Sequence, residues 1–108
     1  MFKIYKNKKT NHPSVSIRQR NRRYWWNMPM THSRPTKDTS LEIDDPHPKA
    51  KKGSKSYIRR YIRKDKRKIR GHRYRDYVLS KESEKIIKRY LKEKYKKDDV
   101  KLDGIKPS

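Results

Sequence analysis

Apolar residues recur at helical spacing in two stretches of the chain. In the first, Tyr57-Ile58-Arg59-Arg60-Tyr61-Ile62-Arg63 repeats Tyr-Ile-Arg at a four-residue step, which sets ring above ring and aliphatic above aliphatic on one helical face. Tyr57, Ile58, Tyr61, Ile62 and Ile69 fall within an arc of about 140° on a helical wheel, wide enough for one buried stripe. The pattern predicts a helix over about 55–70, started by Ser54 or Ser56 and stopped by Gly71 in the left-handed conformation. Asp65 interrupts the stripe and is expected at a wet edge, or paired with a base such as Lys68 or a residue of the amino-terminal region.

The second stripe comprises Ile86, Ile87, Tyr90, Leu91 and Tyr95. Ser80 stands at its start as a cap, Glu82 and Glu84 occupy the first turn, and Lys94, Lys96 and Lys97 the last, the order the helix dipole favours. A helix over about 81–97 is predicted, with Lys94 turning its ammonium outward. The link from Gly71 to Leu79 is short, so the two helices should fold back antiparallel with Tyr61 near Tyr90 and Ile62 near Ile86 or Tyr90. The expected fold is therefore mostly α with extended segments: a small two-helix hairpin carrying a long basic arm, with little independent core.

The remaining segments have weaker patterns. Phe2, Ile4 and Tyr5 among lysines form a pattern too short to do more than add one strand or an extended arm, and the polar, basic run that follows, with Val15 and Ile17 alternating briefly, predicts an extended tail within the 1–37 arm that orders on a partner. Tyr24, Trp25 and Trp26 form an aromatic anchor in that arm, and consecutive side chains diverge in any regular structure, so one wall cannot take all three. Residues 38–52 read as an acidic, proline-rich linker, 53–98 as the two-helix body and 99–108 as a flexible tail.

Charge turns this architecture into a functional expectation. The 108 residues carry 34 Lys and Arg against 12 Asp and Glu, a net +22, and 29% of them are hydrophobic. By segment the net charge is +10 over 1–37, −4 over 38–48, +13 over 49–75 and +3 over 76–108. The stretch Lys49–Arg75 holds fourteen basic residues and one acid, more than solubility requires. Such a chain repels itself and seeks a polyanion. Nucleic acid is the expected partner, rRNA first and DNA second, together with neighbouring proteins of a large assembly; no apolar run is long enough to span a membrane. The expected contacts are Lys49, Lys51, Lys52, Lys55, Arg59, Arg60, Arg63, Lys66, Arg67, Arg70, Arg73 and Arg75, joined by Arg18, Arg20, Arg22 and Arg23 of the arm. Tyr24, Trp25, Trp26 and Tyr74 are the rings available for stacking or anchoring. The acid-free start also has the flavour of a mitochondrial presequence, although near its beginning, through Lys9, the basic residues are Lys rather than Arg.

Chemistry beyond binding finds little in the linear pattern. No cysteine is present, which removes disulfides and thiolate metal motifs. Gly53, Gly71 and Gly104 are isolated and form no phosphate loop. His12, His32, His47 and His72 are scattered, and Glu42, Asp44, Asp45 and His47 read as charges neutralising basic surface rather than as a metal site. The expectation is a non-enzyme without cofactor, metal or small-molecule substrate. In composition the chain resembles ribosomal proteins, with basic arms and Tyr and Trp among Arg and Lys. The functional expectation is a structural component of a large ribonucleoprotein particle, ribosomal and either mitochondrial or cytoplasmic. The alternative is a viral or phage virion protein lying against packaged DNA, or a small DNA-binding protein.

Overall fold

Strands occupy most of the positions where a helix and an arm were predicted. The computed structural model describes residues 2–17, 22–31 and 40–95. Among them lie β1 (Lys3–Asn7), β2 (His12–Ile17), β3 (Tyr24–Thr31), β4 (Ser40–Asp44), β5 (Lys55–Arg59), β6 (Arg63–Lys66), a 3-10 turn (Arg67–Ile69), β7 (Arg70–Arg73) and α1 (Lys81–Tyr95). The strands form one antiparallel sheet in the order β4-β5-β3-β2-β1-β7, with β6 also on β3. The mostly α hairpin and its free arm are therefore corrected to a sheet with a single helix, and residues of the supposed arm supply three central strands.

The predicted first helix fails for an identifiable reason. A four-residue repeat is in phase with a helix, but four is also even, so Ile58 and Ile62 share a face in an extended chain as well. Tyr and Ile at these positions favour the pleated alternative, and β3 offers an edge with which to pair. Ile58 opposes Met30, Arg63 opposes Asn27, and the four residues 59–62 bulge opposite Met28 and Pro29. Thus β5 and β6 are one strand interrupted by a bulge. Pro29 explains its place, because a proline inside a paired strand is accommodated where the ladder is broken.

Closure follows from the 3-10 turn. It carries the chain from β6, beside β3, to β7 on the far edge of β1. Arg67 N donates to Arg23 O at 3.0 Å and Lys8 N donates to Ile69 O at 2.9 Å, so the turn is tied to both margins of the β1–β2–β3 meander. Gly71 is not a helix stop. It lies in β7, where a Cβ would come within 3.0 Å of Lys6 O and 3.1 Å of Lys6 Cβ, so the missing side chain lets the two strands approach. Gly53 does take a positive φ, 87°, in the turn between β4 and β5.

The core collects alternating residues from the strands with three from the carboxy-terminal part. Ile4, Val15, Ile17, Met28, Met30, Leu41, Ile43 and Ile58 meet Leu79, Ile87 and Leu91. Each such side chain contributes about 1.5–3 kcal/mol on burial. Helix α1 forms where its pattern placed it: Ser80 Oγ accepts from the Ser83 backbone N–H at 3.1 Å, and the helix lies against β4 rather than against a second helix. Its buried line is Ser83, Ile87 and Leu91, whereas Ile86 is 37% exposed and Tyr61 45% exposed, so the predicted Tyr61–Tyr90 and Ile62–Ile86 hairpin contacts are replaced.

Candidate nucleic-acid interface

A cleft opens where the β-ladder is interrupted. Pro13 lies just outside the β2–β3 pairing, which starts at Ser14 and Pro29, and Pro29 faces the β5–β6 bulge. Between these interruptions is a cavity of about 430 Å³. Its walls come from the β1–β2 turn and the start of β2 (Thr10, His12, Pro13), the end of β3 (Pro29, Met30, Thr31), the bulge and its flanks (Arg59, Tyr61, Arg63) and Tyr77. Two arginines, a histidine, two tyrosines and two threonines thus border one hollow. Forked donors suit phosphate oxygens and flat rings suit unpaired bases, and the hollow is within the size range of ligand pockets.

Tyr77 connects the cleft to a run of rings. Its centroid is 4.8 Å from that of Tyr74 and 5.2 Å from that of His47, and Tyr74 is 4.8 Å from His72. Burial pushes the Tyr77 phenol up, and the neighbouring Tyr74 adds to this. The group stays a neutral O–H donor throughout the physiological range. Next to the cleft residue Arg63 lies a buried polar layer. Asp65 is 7% exposed, and the fully buried Asn7 and Asn27 both donate to its Oδ2 at 3.0 Å. Asp65 is therefore not at a wet edge; the other expectation, a base or a residue of the amino-terminal region as partner, holds, with Arg63, whose Nε is 3.7 Å away, in place of Lys68 and with two asparagines of the amino-terminal strands.

The cations expected to bind are distributed unevenly. Arg59 and Arg63 reach the cleft. Lys49, Lys51 and Lys52 are exposed in the turn joining β4 to β5, and Lys66, Arg67, Arg73 and Arg75 are exposed along β6, the 3-10 turn and beyond β7. Lys55 is engaged with Asp44 at 2.8 Å. Arg60 Nε donates to Ser40 O at 3.5 Å, and Arg70 lies 4.8 Å from the Tyr5 ring centroid. Arg22 and Arg23 precede β3 and are exposed, while Arg18 and Arg20 lie outside the described residues.

The aromatic triplet divides across the sheet as alternation requires. Trp25 is buried, with its indole N–H donating to Ser16 Oγ at 2.9 Å and Tyr5 edge-on at 6.3 Å. Trp26 packs against the core from the other face. Lys64 Nζ sits 4.1 Å from the Tyr24 ring centroid and 5.8 Å from that of Trp26. Trp25 is thus a structural residue, and Tyr74 belongs to the ring ladder. Thr10, Thr31 and Tyr61 are cleft residues that linear reading did not assign to binding. The available signal was Pro13 and Pro29 inside otherwise strand-like segments, each marking a gap in a ladder.

The acidic cluster organises the turn and the helix start. Asp45 accepts from the His47 backbone N–H at 3.0 Å and from Ser54 Oγ at 3.2 Å, and Asp44 accepts from Lys55 at 2.8 Å and Ser80 Oγ at 3.2 Å. The hydrogen bond from Lys55, reinforced by Ser80, holds the Asp44 carboxyl below its usual range. A lowered folded-state pKa stabilises above the unfolded value of 3.8 and is lost as pH falls through the folded value. In acid denaturation series, wild type should exceed Asp44→Asn in stability near neutrality, with the gap closing as pH falls below 3.8. A gap independent of pH would show that the charge contributes nothing.

Set against family models, curated proteins and solved structures, the chain matches none of them. A functional assignment therefore rests on its own residues.

Proposed function

We propose that this protein binds single-stranded RNA, with a phosphate held by Arg59 and Arg63 and an adjacent unpaired base against Tyr61 or Tyr77. The observation carrying this reading is the convergence of both arginines and both tyrosines on one cleft in a chain of net charge +22. The charge supplies sequence-independent attraction, and stacking in a recess favours bases that are not already paired. Membership of a large ribonucleoprotein, the ribosome included, is a setting in which such a module operates. It no longer requires a threading arm, since residues 2–17 and 22–31 contribute strands. The test is fluorescence anisotropy with a labelled single-stranded RNA dodecamer and a DNA duplex of matched length. We expect at least a tenfold preference for the RNA, lost in Arg59→Ala/Arg63→Ala. Preference for the duplex would favour the packaged-DNA or DNA-binding alternative.

A second reading has a specific observation in its favour, because His12 shares this cleft with the two arginines. An imidazole, a side chain able to act as a general base, beside guanidinium groups that stabilise a crowded phosphate, fits transesterification of RNA. In that step the 2′-hydroxyl loses its proton to His12 and its oxygen bonds to phosphorus. The bond to the 5′-oxygen breaks, leaving a 2′,3′-cyclic phosphate and a 5′-hydroxyl that takes up a proton. Electrophoresis of the same RNA after incubation decides between the readings: fragments with cyclic ends that vanish in His12→Ala indicate cleavage, and intact RNA indicates binding alone.

A further inference from the structure

We infer that Asp65 is the positioning residue of the cleft, fixing three of its walls although it does not line it. This inference rests on the RNA-binding reading for the identity of the ligand, and on the geometry alone for the positioning. A lone carboxylate at 7% exposure is costly unless its oxygens are satisfied, so a buried acid that persists in a chain with few acids has to be compensated by named donors. Here the compensation comes from three separate elements.

The first is the end of β1. Asn7 donates through Nδ2 to Asp65 at 3.0 Å and to Asn27 Oδ1 at 3.2 Å. With its own Nδ2 so held, Asn7 turns Oδ1 toward the β1–β2 turn, where it accepts from Lys9 N at 2.9 Å and Thr10 N at 3.3 Å. That turn carries Thr10 and His12 to the cleft. The second is β3, where Asn27 Nδ2 donates to Asp65 at 3.0 Å and contacts Arg63 O at 3.4 Å. The third is β6, where Arg63 faces Asp65 with Nε at 3.7 Å, an ion pair beyond hydrogen-bond reach, and its side chain is 27% exposed. With Nε turned to the carboxylate, the arginine keeps its terminal nitrogens for a second anion, the forked geometry that phosphate recognition uses.

The network therefore couples the His12 wall to the Arg63 wall through one carboxylate. Replacing Asp65 by Asn removes the charge and converts an acceptor shared by two amides into a group that competes with them, so the turn and Arg63 should both loosen while the apolar core on the other face stays packed.

The test combines amide exchange by NMR with RNA affinity. In wild type, the backbone amides of Lys9 and Thr10 and the side-chain amides of Asn7 and Asn27 should exchange slowly. In Asp65→Asn the Lys9 and Thr10 amides should exchange at least tenfold faster, the Met28 and Ile58 amides should be unchanged, and affinity for the single-stranded dodecamer should fall about tenfold. Slow Lys9 and Thr10 exchange persisting in Asp65→Asn, or fast exchange already in wild type, overturns the positioning role. The wild-type measurement stands even if the variant does not fold. Arg63→Lys keeps the charge but loses the fork, and should weaken RNA binding without altering exchange at Lys9 and Thr10; unaltered affinity would remove Arg63 as the element positioned. A wild type with the slow amides that binds no RNA supports the positioning and overturns the RNA reading.

Discussion

Raising salt from about 50 to about 200 mM is expected to weaken binding of single-stranded RNA by about a thousandfold. The estimate assumes about 8 neutralised phosphates and a slope of roughly −0.7 per phosphate for single strands, so a fourfold rise in salt acts through an exponent of about 5 to 6. Exposed cations such as Lys49, Lys51, Lys52, Lys66, Arg67, Arg73 and Arg75 supply most of this attraction, and Arg59 and Arg63 supply the directed part. Arg59→Ala/Arg63→Ala, which removes the holders of one phosphate, should lower the slope by roughly 0.7. Glu82→Gln/Glu84→Gln, on the opposite charge balance, should leave affinity unchanged or raise it. A flat salt profile would mean that the net charge of +22 serves a protein partner instead.

Leu91→Ala should destabilise the protein by about 2–5 kcal/mol, a large share of the roughly 5–15 kcal/mol that holds a domain folded. Leu91 and Ile87 are both 0% exposed, where α1 closes the core over the sheet. Leaving a void there also costs the contacts of the surrounding Ile and Met side chains. Tyr61→Ala is the informative comparison. In a two-helix hairpin Tyr61 would be an equal partner in the core, but at 45% exposure beside the cleft its loss should cost under about 1 kcal/mol while weakening RNA binding. Denaturant unfolding monitored by tryptophan fluorescence measures both; comparable losses for the two variants would contradict the sheet.

Some of this was readable in the linear chain because the determining interactions are local. Helix α1 combines a serine cap, acids in the first turn and an apolar line at helical spacing, all within residues 80–95, and no distant contact is needed to specify it. The net charge of +22 is equally local in origin, since charge is additive along the chain and does not depend on fold. The divergence of Trp25 from Trp26 followed from backbone geometry alone.

What the tertiary structure alone decided was the state of residues 55–70 and the existence of the cleft. The Tyr-Ile-Arg step suits both periodicities, and the choice fell to β3, whose free edge lies about thirty residues earlier in the chain and whose pairing no local window contains. Likewise the pattern at Lys3–Asn7 left open one strand or an extended arm, and pairing with β2 on one side and with β7 on the other decides for the strand, satisfying its backbone and burying Ile4 and Asn7. Asp65 was an anomaly on a helical wheel; on β6 the same residue points into a polar interior built by Asn7 and Asn27. His12, Thr31, Arg59, Tyr61 and Tyr77 come together only because two prolines interrupt ladders whose strands are joined by sheet closure, a long-range event that composition and spacing do not encode.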